Sequence, residues 1–292
     1  MKEDQEIKTM KLYHHVDRIE RRLQDLGYSL SNQSEIVDPE RLGTVDSLHF
    51  FGDEPIQRIL QLINASSGSN QDEGSEAKKV LDIGTGYGGT ARLLAHRSGC
   101  HVDALELQPD LSAAGAHLTR KCGLNTLIAH KTGDFMRLPL VDNEYDVVVG
   151  LLCFMHIGNW PQLFRRCFAS LKAGGVMYVE DFFLRGPELT EHERTLLKDD
   201  VYCSQLYKKD ELVALLTKCG FESIEFQDVT AKWVPYVVNR SVTYHANLQT
   251  HIASDGKHVA EGLDHFYASV AKVFQGDNLG GFMLAVRKPP SS

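Results

Sequence analysis

Residues Val80 to Gly89 read VLDIGTGYGG, an apolar run that passes directly into glycines and then into helix-forming residues. Few sequences can do this outside a strand–turn–helix unit. Gly84, Gly86 and Gly88 let the backbone turn sharply and approach a ligand with no Cβ in the way. The helix that opens at Gly89 and Thr90 presents N–H groups that favour an anionic group. Beyond it the chain keeps the same rhythm: apolar strands at 101–107, 127–132, 145–151 and 176–181 alternate with helical segments at 111–121 and 160–171. Strands alternating with helices predict a doubly wound α/β sheet, whose ligands bind at the strand C-terminal ends. Phe221 to Val229 and Gly281 to Arg287 read as later strands, expected to add antiparallel strands at the sheet's edge. Helices are expected at 187–198, 208–219 and 259–274.

The polar stretch 65–76, ASSGSNQDEGSE, reads as a flexible linker. It divides the chain into an N-terminal helical cap or lid at 1–64, with helical spacing at 12–26 and 55–63, and a core at 77–292 with substrate-covering insertions in 182–275. The chain has 292 residues, enough to bury a full core. Its formal charge of -8 and the lack of a basic block disfavour a nucleic-acid surface. The six cysteines are scattered, with no spacing typical of a zinc site. The polar N-terminus lacks the apolar core of a signal peptide, and the longest apolar run, 147–157, is too short to span a bilayer. The expectation is a cytoplasmic protein with no membrane partner and no metal, either a monomer or a homodimer.

Glu106 ends the second strand 24 residues after Asp82, where a carboxylate can accept hydrogen bonds from both hydroxyls of a ribose. Nicotinamide-binding folds share that feature. Three further segments separate the classes: Gly133-Asp134-Phe135, Leu171-Lys172-Ala173-Gly174-Gly175 and the late strand at Gly280-Gly281. With VLDIGTGYGG, this order resembles the class I methyltransferases that use S-adenosylmethionine (SAM). The resemblance implies a Rossmann-like seven-stranded sheet with the last strand antiparallel. SAM would be the cofactor and S-adenosylhomocysteine its product. Asp134 would bond the adenine amino group, Phe135 would flank its ring, and Asp82 would orient the glycine loop and the methionine part. Thr85 and Leu107 complete the cofactor residues so implied, beside Gly84, Gly86, Gly88 and Glu106.

Within that superfamily the CFMHI segment at 153–157 and the ending EGLDHFYAS…GDNLGGFMLAVRK resemble small-molecule N-methyltransferases of the phosphoethanolamine and sarcosine/dimethylglycine kinds. That likeness implies a small-molecule amine acceptor and a catalytic pair of His156 with a tyrosine of the cap, matched to Tyr13 or Tyr28. It also makes 46–52, with His49, Phe50 and Phe51, a loop that covers the substrate. Phosphoethanolamine enzymes carry an aspartate where Gly150-Leu151-Leu152 stands here, so a less polar acceptor is implied. Phe50, Phe51, Phe154, Phe182, Trp233 and Tyr236 could wall a pocket and hold a methylated ammonium by cation–π contact, or simply pack the core. Three readings compete with N-methylation: metal-free O-methylation, a non-catalytic SAM-binding regulatory module, and a nicotinamide-dependent oxidoreductase.

Overall fold

The computed structural model describes residues 16–29, 35–65 and 77–291. Tyr13 and the linker from 66 to 76 lie outside them. Three helices come first: α1 (Val16–Asp25), α2 (Pro39–Asp46) and α3 (Asp53–Ala65). The core continues β1 (Lys79–Ile83), α4 (Gly89–Ser98), β2 (His101–Glu106), α5 (Pro109–Lys121), β3 (Ile128–Thr132) and β4 (Tyr145–Leu151). A 3-10 turn (Phe154–His156) leads to α6 (Trp160–Ser170) and the long β5 (Leu171–Leu184). Then come α7 (Glu191–Asp199), α8 (Lys209–Lys218), β6 (Glu222–Asp228), α9 (Thr230–Ala246), α10 (Leu248–Asp255), α11 (Lys257–Gln275) and β7 (Leu279–Arg287).

The seven strands lie in the order β3-β2-β1-β4-β5-β7-β6. All neighbours pair parallel except at β7, which runs antiparallel to both β5 and β6. The antiparallel last strand is therefore as expected, but its place is not: β7 inserts inside the sheet, and β6 forms the edge and runs with the parallel set. The reason is hydrophobic. β7 is buried along nearly its whole length, whereas β6 is mostly exposed or half-buried.

Strand order reverses between β1 and β4, so the chain leaves these neighbours toward opposite sides and opens a crevice at their C-terminal ends. Trp160, Phe164 and Leu163 of α6 close one face of the sheet, with Ile56, Ile59 and Ile63 of α3 on the other. Each such side chain contributes about 1.5–3 kcal/mol when fully buried. Helix α6 starts cleanly because the Asn159 side chain accepts from the Gln162 N–H at 3.3 Å.

The N-terminal helices pack beside the glycine loop. Leu23 of α1 and Leu42 of α2 share a buried cluster with Tyr87, Leu111 and Leu118. Asp46, the last residue of α2, is paired in the interior with Arg92 of α4, whose guanidinium also donates to Gly115 O and Thr119 Oγ1. Removing one partner of such a buried pair would strand the other charge, a loss of about 3–5 kcal/mol.

Helices α2, α9 and α10 have no counterpart among the helices expected from the sequence. α9 hides its period behind Pro235 and a series of valines (Val234, Val237, Val238, Val242), which lowers its intrinsic helix preference. Packing on α11 overrides that preference.

Candidate active site

The glycine turn after β1 is built from backbone geometry and two carboxylates. Gly84, Gly86 and Gly88 adopt φ of 70°, 58° and 78°, a region that side chains rarely enter. At Gly84 space is also short, since a Cβ there would stand 2.6 Å from the Cys153 Cβ. Asp82 accepts from the Thr85 hydroxyl at 2.6 Å, which locks the turn from below. Burial pushes the Asp82 carboxyl up to about 6, against the pull of the Thr85 hydroxyl, and the nearby Glu106 charge adds to the rise. Glu106 accepts from the Gly86 N–H and the Gln108 N–H, both at 2.9 Å. These bonds aim its carboxylate across the strand ends, where ribose hydroxyls would meet it.

A cleft of about 210 Å³ opens above this turn. Gly84, Gly86, Glu106, Leu107, Asp134 and Phe135 line one half of it. Asp82, Thr85 and Gly88 do not line it. The first two brace the turn, and Gly88 faces His130 and Arg92. The glycine cradle, the strand-end carboxylate and the Asp134-Phe135 wall fit SAM. An adenosine would meet an acidic group at its ribose and an apolar wall at its base.

The other half is apolar and comes from distant segments: Leu48 and Phe50 before the core, Leu152 and Met155 after β4, Phe182 on β5, Val201, and residues of α9 and α11. His156 lines it too. Its Nδ1–H donates to the Tyr202 carbonyl at 3.1 Å, which leaves Nε2 as the acceptor nitrogen. Burial holds the imidazole below its usual range, with the Tyr202 carbonyl pulling the other way, so the ring is neutral at pH 7.

The turn that carries His156 is pinned from two sides. The Asp181 side chain, fully buried at the end of β5, accepts from the Phe154 N–H at 2.7 Å and the Met155 N–H at 3.2 Å. Ser204 donates to the Met155 carbonyl from its N–H at 2.7 Å and its hydroxyl at 2.9 Å. Burial raises the Asp181 carboxyl to about 7 despite these backbone donors. Leu152 and Tyr202, on either side of this turn, both have positive φ (53° and 58°). Such strain in non-glycine residues persists only where the surroundings enforce it.

Several candidate acceptor residues sit elsewhere. His49 Nε2 pairs with the Gly52 carbonyl at 2.7 Å, and its Nδ1 lies 3.4 Å from the Thr90 hydroxyl. Phe51 lies against Tyr236 under Lys232. Phe154 packs in the core against Phe164. Trp233 is a second layer behind Phe50 and Phe182, and Tyr236 does not line the cleft. Only Phe50 and Phe182 of that set do. Tyr28 is also turned away: Arg41 lies over its ring, and its hydroxyl accepts at 3.4 Å from Arg41 and from the Asp38 N–H. Among the described residues, the tyrosine that lines the cleft is Tyr267, with Arg240 beside it. Tyr267 lies within the EGLDHFYAS segment, but nothing in that segment marked it as a cleft residue, and no motif pointed to Arg240; both sit on helices that are placed by packing. Asp181 could have been found: a carboxylate pair, Glu180-Asp181, interrupts an otherwise apolar strand.

Comparison with known proteins agrees with this geometry. Residues 80–175 match a family described as a methyltransferase domain. The glycine/sarcosine/dimethylglycine N-methyltransferase of Actinopolyspora halophila is 32% identical over 162 residues, 53% of this chain and 27% of that protein. The sarcosine/dimethylglycine N-methyltransferase of Halorhodospira halochloris is 28% identical over 191 residues, 64% of this chain and 68% of the relative. Among solved structures, the Haemonchus contortus phosphoethanolamine N-methyltransferase 2, in complex with phosphomonomethylethanolamine and S-adenosylhomocysteine, superposes with a TM-score of 0.69 at 22% identity. That match covers 80% of this chain and 53% of the other, and a likeness at that identity speaks for the fold alone. Residues 80–175 thus match a methyltransferase domain, and the chain shares the fold of these solved methyltransferases.

Proposed function

We propose that this protein transfers a methyl group from SAM to the nitrogen of a small-molecule amine. The observation that carries the reading is the placement of His156: a neutral imidazole, its Nδ1–H committed to Tyr202, in the wall of the cleft that continues the cofactor half. The likeness to N-methyltransferases of sarcosine and dimethylglycine supports it.

A free alkyl amine with a pKa of about 10.4 is almost wholly protonated at pH 7, and recovering its lone pair costs about 4–5 kcal/mol. Nε2 of His156 accepts that proton as the amine nitrogen becomes the nucleophile. Bound in this cleft, SAM would supply an electrophilic methyl carbon for the amine nitrogen, with S-adenosylhomocysteine as the leaving group. Glu106 and Asp134 would hold the cofactor, and Asp82 braces the turn beneath it. Asp181 and Ser204 fix the turn that presents His156. The N-terminal helices close the site through Leu48 and Phe50, and Tyr13 is the cap tyrosine assigned to share the proton.

The test is incubation with SAM and a pooled set of small amines, amino acids, phenols and carboxylic acids, read by mass spectrometry. A single-methyl gain confined to amines supports the reading. Methylation of hydroxyl or carboxyl acceptors with no amine product sinks it in favour of O-methylation. Cofactor binding with no product from any acceptor points to a regulatory module.

A further inference from the structure

We infer that the amine taken by this cleft has a hydrocarbon body, an alkyl or arylalkyl amine whose nitrogen is its single polar group. The inference deepens the N-methylation reading and rests on it for the nitrogen alone.

The acceptor half is the open side of a hydrophobic core cluster. Met155, Val201, Val237, Phe266 and Val270 all line the cleft and all belong to one buried cluster, with Leu152 packed against it. They arrive from separate places: the turn after β4, the segment after α7, and helices α9 and α11. Phe266 and Val270 stand four residues apart on α11, so that helix turns one apolar face to the cleft, and Val237 meets it from α9. Walls of this kind gain most when the water against them is replaced by hydrocarbon.

Polar side chains are few here, and most are engaged. Apart from the Met155 thioether, those of the described residues that line this half are Cys153, His156, Arg240 and Tyr267. The Cys153 thiol donates to the Ile83 carbonyl at 2.9 Å. Arg240 donates to the Tyr267 hydroxyl at 3.1 Å, and its guanidinium lies 4.3 Å from the centre of that ring. His156 differs, because its ring bonds the Tyr202 carbonyl through Nδ1 and keeps Nε2 for a ligand. One acceptor nitrogen in a hydrocarbon wall sets the shape of what fits: one N–H group facing Nε2, through which its proton leaves, and apolar atoms elsewhere. Further polar groups on the amine would have to give up water against hydrocarbon, which is costly.

The experiment uses the straight-chain primary amines from ethylamine to octylamine, whose nitrogens are alike in basicity, so that only the hydrocarbon varies. Sarcosine, dimethylglycine and phosphoethanolamine are the polar comparators. Each is titrated by calorimetry into the full chain loaded with S-adenosylhomocysteine, and each is then offered with SAM and read for methylated product. The expected result is affinity that rises roughly fourfold per added methylene until the cleft is filled, with the longer amines ahead of all three comparators. Val270→Phe should move the end of that rise to a shorter amine while S-adenosylhomocysteine affinity holds. Affinity independent of chain length, tighter binding of any comparator than of the longer amines, no binding of any amine, or an unmoved end point in a folded Val270→Phe overturns the inference. The series on the unaltered protein decides the matter even if the variant does not fold. Rising affinity with no methylated amine would leave the hydrocarbon preference standing while the proposed function fell, and methylation without the rise would do the reverse.

Discussion

The two halves of the cleft are made in different ways. The cofactor half is local: Asp82 to Gly88 form one turn, Glu106 and Leu107 end the next strand, and Asp134-Phe135 come after the third. Its shape rests on the backbone, with positive φ at three glycines and main-chain N–H groups on Glu106. The acceptor half is assembled from segments far apart in the chain, from Leu48 to Val270, and its shape rests on side-chain packing. The contrast teaches that a cofactor shared by many enzymes can be held by a motif. An acceptor is chosen by surfaces that change with each substitution in a packed helix.

If the halves are separable, variants should injure one and spare the other. The largest effect is expected from His156→Ala, with a fall in kcat of about 10²–10⁴-fold and little change in S-adenosylhomocysteine affinity. Because burial holds this imidazole below its ordinary value, the proton-accepting form prevails at neutral pH. The wild-type rate should therefore be flat above about pH 6.5 and fall in acid. A variant that also loses the cofactor would break the separation.

Gly84→Val should do the converse. A β-branched residue at φ 70°, with its Cβ driven against Cys153, should weaken S-adenosylhomocysteine binding by about a hundredfold or more, as read by calorimetry. Unchanged binding would mean that the turn does not hold the cofactor.

Asp181→Asn touches the join between the halves. It replaces the carboxylate that accepts from Phe154 and Met155 and should lower kcat by about tenfold with KM nearly unchanged, since His156 is displaced and not removed. It should also alter the pH dependence of stability. The folded carboxyl is raised to about 7, so its contribution is full below the unfolded value near 4 and is lost as pH rises through 7. The variant should therefore gain on the wild type between pH 4 and 7 in urea unfolding and run parallel above that. A constant gap across this range would show that Asp181 does not titrate there.

The smallest effect belongs to Tyr28→Phe. Its hydroxyl accepts only long bonds outside the cleft, so kcat should stay within about twofold. A large loss would return Tyr28 to the site.

Legibility follows the same division. The strand–helix rhythm, the glycine turn and Glu106 could be read because period and residue type carry the physics within a few residues. Phe50 and Phe182 were found as aromatics, whereas Phe154 and Trp233, of the same type, turned out to be core. Nothing in a single residue distinguishes the two. The inserted β7 followed from burial of both its faces, and a strand's neighbours are not written in its own sequence.

The sequence by itself determined the alternating fold, the glycine turn after β1 and the histidine after β4, since each depends on contacts within a short span. Only the tertiary structure decided that Arg240 and Tyr267 face the cleft, that Tyr28 does not, and that Asp181 holds the His156 turn. Those facts depend on which helix packs over which strand end, a choice made by burying apolar surface contributed from the whole chain.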